Sequence, residues 1–308
     1  MLWVVLSLVG ALANALFYII IRRYITALDP RLLAGLGSLL GGMLLLLISG
    51  MRGFPPIGPA YYSAVIASGF LNIIGLSLIF AAMRSSDLSL SMPMLSFTPV
   101  FLICTSYLLL YEIPSPAGIA GICIIVAGSY VLNISAEHEH LLDPVRSMIK
   151  NRGSWHMLLV AFLFAVSINY DKIAMLNSDP VFGMAFTLLI ISGGFFLVIT
   201  VYPAAGCRSY HSEAARKPAL PQPAGEKVCC TSCLVPAVLL AACVAAECIS
   251  INVAYTFQIA PYVIAIKRLG IIFMVLYGTI VCAENEIRTR LLGAVLMVGG
   301  AVIILVFA

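Results

Sequence analysis

The sequence predicts an all-α integral membrane protein of ten transmembrane helices, arranged as two inverted five-helix repeats. The chain is 62% hydrophobic and only 10% charged, long apolar runs recur along it, and its two halves share landmarks in the same order. A soluble domain usually carries about 25% charged residues. Runs of about 20 apolar residues can cross a hydrocarbon core roughly 30 Å thick, so lipid is the expected surroundings of this chain.

The ten predicted spans follow the apolar runs and the residues that interrupt them. In the first half we expect spans at Leu2–Ile21, Leu32–Ile48, Ala60–Met83, Leu88–Leu110 and Ala117–Leu132. In the second half we expect them at Trp155–Met175, Pro180–Tyr202, Leu234–Phe257, Pro261–Ala283 and Leu291–Phe307. Very short connections, such as Gln258–Ala260, require neighbouring spans to pack as antiparallel hairpins.

Two polar segments organise the chain around these spans. We expect the first repeat at 1–134, a polar linker at 135–153 and the second repeat at 154–308. Residues 203–233, rich in Ala, Pro and Lys/Arg, are expected to form a long loop within the second repeat. No positive segment precedes the apolar run that begins at Leu2, so we expect a retained span there and not a signal peptide.

The internal repeat appears when the second half is aligned on the first. One constant displacement places Glu112 on Glu284, Gly121 on Gly293 and Gly128 on Gly300. Each half also has an early Trp followed by an Asp-Pro pair, at Trp3 with Asp29-Pro30 and at Trp155 with Asp179-Pro180. Five spans per repeat is an odd number, so the second repeat must enter the membrane from the opposite side. Inverted repeats with a site between them are a recurring transporter design.

These segments resemble the EamA branch of the drug/metabolite transporter superfamily. The resemblance rests on the paired Glu-x8-Gly segments, the five-plus-five layout and the segment 93–99, which reads Pro-Met-Leu-Ser-Phe-Thr-Pro. It covers nearly the whole chain apart from the linker and the long loop. It implies a ten-helix fold with a central cavity, alternating access and transport of a small solute, in a plasma membrane.

Two arguments give opposite orientations in that membrane. The loops after odd-numbered spans hold most of the cations, and the loops after even-numbered spans hold only Arg52 and, at a span end, Lys172. The positive-inside rule then places the odd loops in the cytoplasm and both termini outside. The family resemblance implies that both termini are cytoplasmic, so the orientation stays open at this point.

Three of the charged residues inside predicted spans stand out, since ionisable side chains are costly there and usually functional. Glu247 lies in span 8, and Lys267 and Arg268 lie in span 9, at similar depth from the short turn that joins these spans. Adjacent helical residues point about 100° apart. We therefore expect one cation to pair with Glu247 and the other to face a cavity. The alternative is an ion pair that only joins two helices.

The substrate-binding prediction extends from these charges to nearby polar and aromatic positions. Two cations beside one carboxylate leave a positive charge for an anionic group, and a guanidinium suits a carboxylate or a phosphate. Small and polar residues along spans 8 and 4, with aromatic residues near the turn, complete the predicted site. Its members are Lys267, Arg268, Glu247, Ser250, Tyr255, Tyr262, Ser96 and Pro93.

Span 9 also resembles the sugar-phosphate translocators in its Lys267-Arg268 pair. In that family a lysine in span 4 assists phosphate binding, whereas the repeat-equivalent positions here are Leu95 and Ser96. A less charged anion or an amino acid is therefore the expected substrate. Burial disfavours the charged form of a carboxyl group, so Glu247 could also take up a proton and couple it to transport.

Three other functions are alternatives to the transport of a small polar metabolite. A lipophilic-cation exporter of the same fold would require an unpaired acid in the cavity. A membrane enzyme is not expected, since the chain has no recognisable catalytic motif, and a non-transporting scaffold is the other alternative. We expect no cofactor, no metal and no nucleic-acid partner; a small-molecule substrate, the bilayer and a second copy of the chain are the expected partners. Asp171 and Lys172, near the end of span 6, are expected to be a local ion pair or a snorkelling charge.

Overall fold

The computed structural model describes residues 1–24, 29–84, 92–132, 152–201, 230–274, 277 and 287–307, and every regular element in these ranges is helical. The first five α-helices are α1 Leu2–Tyr24, α2 Pro30–Arg52, α3 Tyr61–Arg84, α4 Thr98–Leu110 and α5 Pro116–Leu132. The next five are α6 Arg152–Leu176, α7 Ala185–Val201, α8 Cys230–Tyr255, α9 Ala260–Lys267 and α10 Ile287–Phe307. Short 3₁₀ helices, Met92–Phe97 and Phe182–Met184, precede α4 and α7.

Six segments of the described chain are long and apolar enough to cross a membrane. They are Leu2–Ile21, Pro30–Arg52, Tyr61–Phe80, Trp155–Leu176, Phe182–Val201 and Leu234–Tyr255. Shorter apolar helices occur at Met94–Leu110, Pro116–Leu132 and Leu291–Phe307, where spans 4, 5 and 10 are predicted. The all-helical, multi-pass membrane class is therefore confirmed for the described residues. The full count of ten spans and the two-repeat arrangement stay predictions.

The repeated Asp-Pro pairs start a helical segment in each half. The Asp29 carboxylate accepts the backbone N–H of Arg31 at 2.9 Å, with Pro30 as the first residue of α2. The Asp179 carboxylate accepts the backbone N–H groups of Val181 at 2.8 Å and of Phe182. An aspartate satisfies the free N–H groups of a first helical turn, and proline fits there because it has no N–H to satisfy.

Helix packing brings the two halves of the chain together. The main neighbours are α1 with α8, α3 with α6, α2 with both α7 and α8, α3 with α7, and α5 with α10. The largest apolar cluster lies among α2, α3, α7 and α8, where Leu33, Leu45, Phe195 and Leu240 are fully buried. Most of these pairs join one helix from residues 1–134 to one from residues 154–308, so a site between the halves has walls from both.

A close backbone contact joins α5 and α10 at the repeated glycines. A Cβ on Gly121 would lie 2.8 Å from the carbonyl oxygen of Gly300, and a Cβ on Gly128 would lie 2.8 Å from that of Gly293. Real Cβ atoms do not approach backbone oxygens so closely. Glycine at all four positions therefore lets the two helix backbones touch, as small residues do between membrane helices.

Candidate functional site

A cavity of about 220 Å³ lies between the two halves of the chain. Its described walls come from α1, α2, α3, α6, α7, α8 and α9, with both 3₁₀ helices and the residues that follow α9. Small-molecule pockets usually span roughly 300–1,000 Å³, so this cavity suits a small solute. The polar and charged side chains among its walls are Asn14, Tyr18, Ser38, Asn72, Ser167, Asp171, Glu247, Lys267 and Arg268.

The ion pair expected between spans 8 and 9 is present on one wall. The Lys267 ammonium contacts a Glu247 carboxylate oxygen, and the two side chains are 22% and 17% exposed. The amide nitrogen of Asn14, from α1, lies 3.1 Å from each Glu247 oxygen and donates to this carboxylate. Three helices thus meet at Glu247, and its charge is matched within the protein.

Arg268 lies beside this pair but does not join it. Its Nε is buried and has no hydrogen-bond partner among the described residues, and its side chain lines the cavity. The 100° step between neighbouring helical residues separates it from Lys267. Arg268 is therefore a cation that faces the cavity and has no ion pair with a carboxylate of the described residues, as expected of one of the two.

The helix is irregular at this arginine. After α9 ends at Lys267, the N–H of Leu269 bonds to the carbonyl of Ile266 at 3.0 Å, and the N–H of Ile271 bonds to that of Arg268 at 3.1 Å. These i to i−3 bonds are of the 3₁₀ type, which within a helix often marks a functional hinge. Gly270 permits the break to lie against α1, since a Cβ there would be 2.6 Å from the Ala11 carbonyl oxygen.

A carboxylate that the sequence analysis did not assign to the site lies on the α6 wall. Asp171 lines the cavity and accepts the hydroxyl of Ser68, from α3. The Ser68 hydroxyl is 3.0 Å from that of Ser167, and the Asn72 amide donates to Ser167 at 2.7 Å. Among the described residues no ion pair involves Asp171. Two carboxylates, not one, therefore face the two cations.

Of the two predictions for Asp171 and Lys172, the local ion pair is wrong. Lys172 points away from the cavity, contacts the Glu112 carboxylate and donates to the Gln258 carbonyl at 3.1 Å. The other Glu112 oxygen accepts the backbone N–H of Ala260 at 2.9 Å. The reason is again the 100° step between neighbours on α6, which sends Asp171 to the cavity and Lys172 to the helix ends.

Most of the other predicted site residues lie outside the cavity walls. Ser250 is buried one turn beyond Glu247, where Ile251 packs against Gly10 of α1 and fills the space. Tyr255 is buried, with the Lys172 ammonium 5.4 Å from its ring centroid. The structure therefore does not place these two side chains where a solute in this cavity would meet them.

The remaining three predictions concern α9 and the start of span 4. The Tyr262 hydroxyl accepts the backbone N–H of Ser115 at 2.7 Å, which joins α9 to the start of α5. The Ser96 hydroxyl lies 2.5 Å from that of Ser129 and joins the 3₁₀ helix to α5. The side chain of Pro93 lies outside the described part of the structure, although its neighbour Leu95 lines the cavity.

Two asparagines within the spans join neighbouring segments of the chain. Asn169 of α6 donates to Thr105 at 2.9 Å and accepts from Ser106 at 2.6 Å, both in α4. Asn252 of α8 donates to the Pro180 carbonyl at 2.9 Å. Among the described residues, no three His, Cys, Asp or Glu side chains are grouped to hold a metal ion. The side chains of Cys229, Cys230 and Cys233 lie outside the described part of the structure.

Part of the chain matches a known protein family. Residues 1–134 match the model of the EamA-like transporter family. None of the curated proteins that were compared matches the chain. A solved structure described only as "Crystal structure of protein" is similar at a TM-score of 0.73 and 14% identity, covering 99% of this chain and 97% of that one. At this identity the likeness establishes a shared fold alone.

Proposed function

We propose that this chain, which matches the EamA-like transporter family over residues 1–134, is a multi-pass secondary transporter and not an enzyme. It moves a small polar metabolite, an amino acid or an organic anion, across the plasma membrane by alternating access. The observation that carries this proposal is the cavity between the two halves, where the buried Arg268 Nε has no hydrogen-bond partner among the described residues.

The proposed architecture is two inverted five-helix repeats, α1–α5 and α6–α10. Helix pairing supports this architecture. If each helix is replaced by its counterpart in the other repeat, the contact of α1 with α8 becomes that of α6 with α3. In the same way, the contact of α2 with α8 becomes that of α7 with α3, and all four contacts occur. The contact between α5 and α10 has the same symmetry. Gly121 packs against Gly300, and their repeat counterparts, Gly293 and Gly128, pack against each other. Such a relation lets one half rock against the other around a fixed central site.

The substrate proposal rests on Arg268. Lys267 is already neutralised by Glu247, whereas the Arg268 Nε has no partner among the described residues. Leaving a buried donor unpaired costs about 1–3 kcal/mol, and more for a charged group. A carboxylate on the substrate would satisfy this donor and could bind the planar guanidinium through two parallel hydrogen bonds.

One observation favours the runner-up function, export of lipophilic cations. Asp171 is a cavity acid without an ion-pair partner among the described residues, which is the feature that such an exporter requires. Arg268 in the same cavity opposes it, because a monovalent cation would meet an uncompensated guanidinium. We therefore keep the cation exporter as the second candidate.

Proton coupling, orientation and assembly complete the proposal. Glu247 is the proposed proton carrier, released from Lys267 during the transport cycle. The Lys/Arg count supports cytoplasmic odd loops and external termini. The proposed partners are the bilayer, the substrate and a second copy of the chain, with no nucleic acid.

Thermal unfolding of the purified protein tests the substrate proposal. Ligands that bind only the folded state stabilise it, by about 2.7 kcal/mol at 100 times Kd. We expect amino acids or organic acids to raise the Tm of the wild-type protein and not that of Arg268→Ala. The control is Arg52→Ala, which removes an exposed arginine at the end of α2 and should keep the response.

Two results would overturn this proposal. If carboxylates raised the Tm of Arg268→Ala as much as that of the wild type, Arg268 would not be the carboxylate-binding group. If only lipophilic cations raised the Tm, and did so equally in Arg268→Ala, the cation exporter would be the better account.

A further inference from the structure

The cavity has two charged groups that the Lys267–Glu247 pair does not use. On the α6 wall is the Asp171 carboxylate, and at the break after α9 is the Arg268 guanidinium. No ion pair joins either side chain to another residue in the described ranges. The described charges of the cavity therefore cancel, since two carboxylates face two cations, but one charge of each sign is left without an ion-pair partner.

Asp171 is held in a fixed orientation by hydroxyl groups. Among the described residues it accepts one hydrogen bond, from Ser68, through Oδ1. Ser68 is in turn 3.0 Å from Ser167, and the Asn72 amide donates to Ser167 and, at 3.2 Å, to Ser68. An ionised carboxylate has about four acceptor positions. One hydroxyl fills only one of them, so Asp171 keeps acceptor positions for a group in the cavity.

Arg268 presents the complementary group. A guanidinium has five N–H donors in a planar fork and no acceptor, and its Nε is buried without a partner among the described residues. Asp171 lies on α6 and Arg268 lies at the break after α9. A solute between them would meet an acid at one end and a base at the other.

We propose, on the basis of the transporter function above, that the cavity selects zwitterions and that Asp171 is the residue that determines this specificity. Asp171 accepts hydrogen bonds from the ammonium of the solute, and Arg268 binds its carboxylate. A solute with a carboxylate alone leaves Asp171 uncompensated, and one with an ammonium alone leaves Arg268 uncompensated. A site built to bond a polar group rejects analogues that lack it, because its own buried groups then stay unpaired.

The first test compares three kinds of ligand on the wild-type protein. Each of a set of amino acids is measured by isothermal titration beside its deaminated carboxylic acid and its decarboxylated amine. We expect the amino acid to bind roughly 10- to 100-fold more tightly than either analogue, the ratio given by one charge-assisted hydrogen-bonded contact. Equal binding of the deaminated acid would overturn the zwitterion proposal and leave the carboxylate transporter standing.

The second test reverses the preference. In Asp171→Asn we expect amino-acid binding to weaken roughly 10- to 100-fold while the deaminated acid binds as well as before or better, because the cavity becomes net positive. Asp171→Glu should restore part of the amino-acid binding. Asp29→Asn makes the same substitution at the start of α2, outside the described cavity walls, where asparagine can also cap the helix, and should leave the ratio of the two ligands unchanged.

The two proposals fail in different ways in these experiments. Parallel loss of both ligands in Asp171→Asn would mean a structural role for Asp171 and would overturn the specificity proposal. Absence of binding by amino acids and carboxylic acids alike, with binding of the amines, would overturn the proposed function itself. The ligand comparison on the wild-type protein shows whether the cavity prefers zwitterions even if Asp171→Asn does not fold.

Discussion

Neighbouring charged residues on one helix have different surroundings in this protein. Lys267 pairs with Glu247 while Arg268 faces the cavity, and Asp171 faces the cavity while Lys172 binds Glu112 at the helix ends. A step of 100° per residue requires this separation. In each pair of neighbours, one residue therefore forms an ion pair with another helix or connection of the chain, and the other has no such partner among the described residues and faces the cavity.

The Lys267–Glu247 pair is predicted to stabilise the fold. We expect Glu247→Gln and Lys267→Met each to lower the free energy of unfolding in detergent, because each leaves one buried charge uncompensated. The double variant should recover part of the loss, with a coupling energy of about 0.5–3 kcal/mol. Guanidinium or thermal unfolding of the four proteins measures this cycle. Strictly additive losses would mean that the two charges do not interact in the folded protein.

At the scale of helices, the packing depends on close backbone contact between the halves. The α5 and α10 glycines are the clearest case, with Gly121 against Gly300. The Glu112–Lys172 pair has a similar role at the helix ends, where it ties the connection before α5 to α6 and to the turn before α9. Both features join residues from different predicted repeats, so they fix how the halves meet.

Adjacent glycines of α10 provide a matched test of this contact. A Cβ on Gly300 would lie 2.6 Å from the Gly121 carbonyl oxygen, whereas a Cβ on Gly299 would have nothing within 4 Å. We expect Gly300→Ala to destabilise the protein by about 1–3 kcal/mol, the usual cost of overpacking. Gly299→Ala should be neutral or slightly stabilising, since alanine favours helix. Equal unfolding temperatures for the two variants would contradict the α5–α10 contact.

At the scale of the whole molecule, the sequence predicts the helices better than the site. Apolar runs locate the membrane-length helices because lipid selects for length and composition, and the Asp-Pro pairs mark where α2 and the segment before α7 begin. Charge inside a span identifies Glu247, Lys267 and Arg268 as cavity residues, since such charge is costly. These inferences need only local sequence.

The residues that the sequence analysis missed or misplaced depend on rotation and packing between helices. Asp171 has the same sequence signal as Arg268, since each is one of two adjacent charged residues within a predicted span. The 100° step between neighbouring residues therefore also predicts that Asp171 and Lys172 face different surroundings. Ser250 and Tyr262 are misplaced for another reason. Their distance from the cavity depends on where α1 packs on α8 and where α9 meets α5. The residue pattern of one helix does not specify such contacts between helices.

Solute counterflow in proteoliposomes tests the central claim, that this chain is a carrier with a central site, most directly. Vesicles are loaded with the unlabelled amino or organic acid that best stabilises the protein, and the labelled form is added outside. We predict transient, saturable accumulation of label by the wild-type protein and its loss in Arg268→Ala. With a pH gradient imposed, Glu247→Gln should keep counterflow and lose uphill uptake. Flux that does not saturate and shows no counterflow would contradict a carrier.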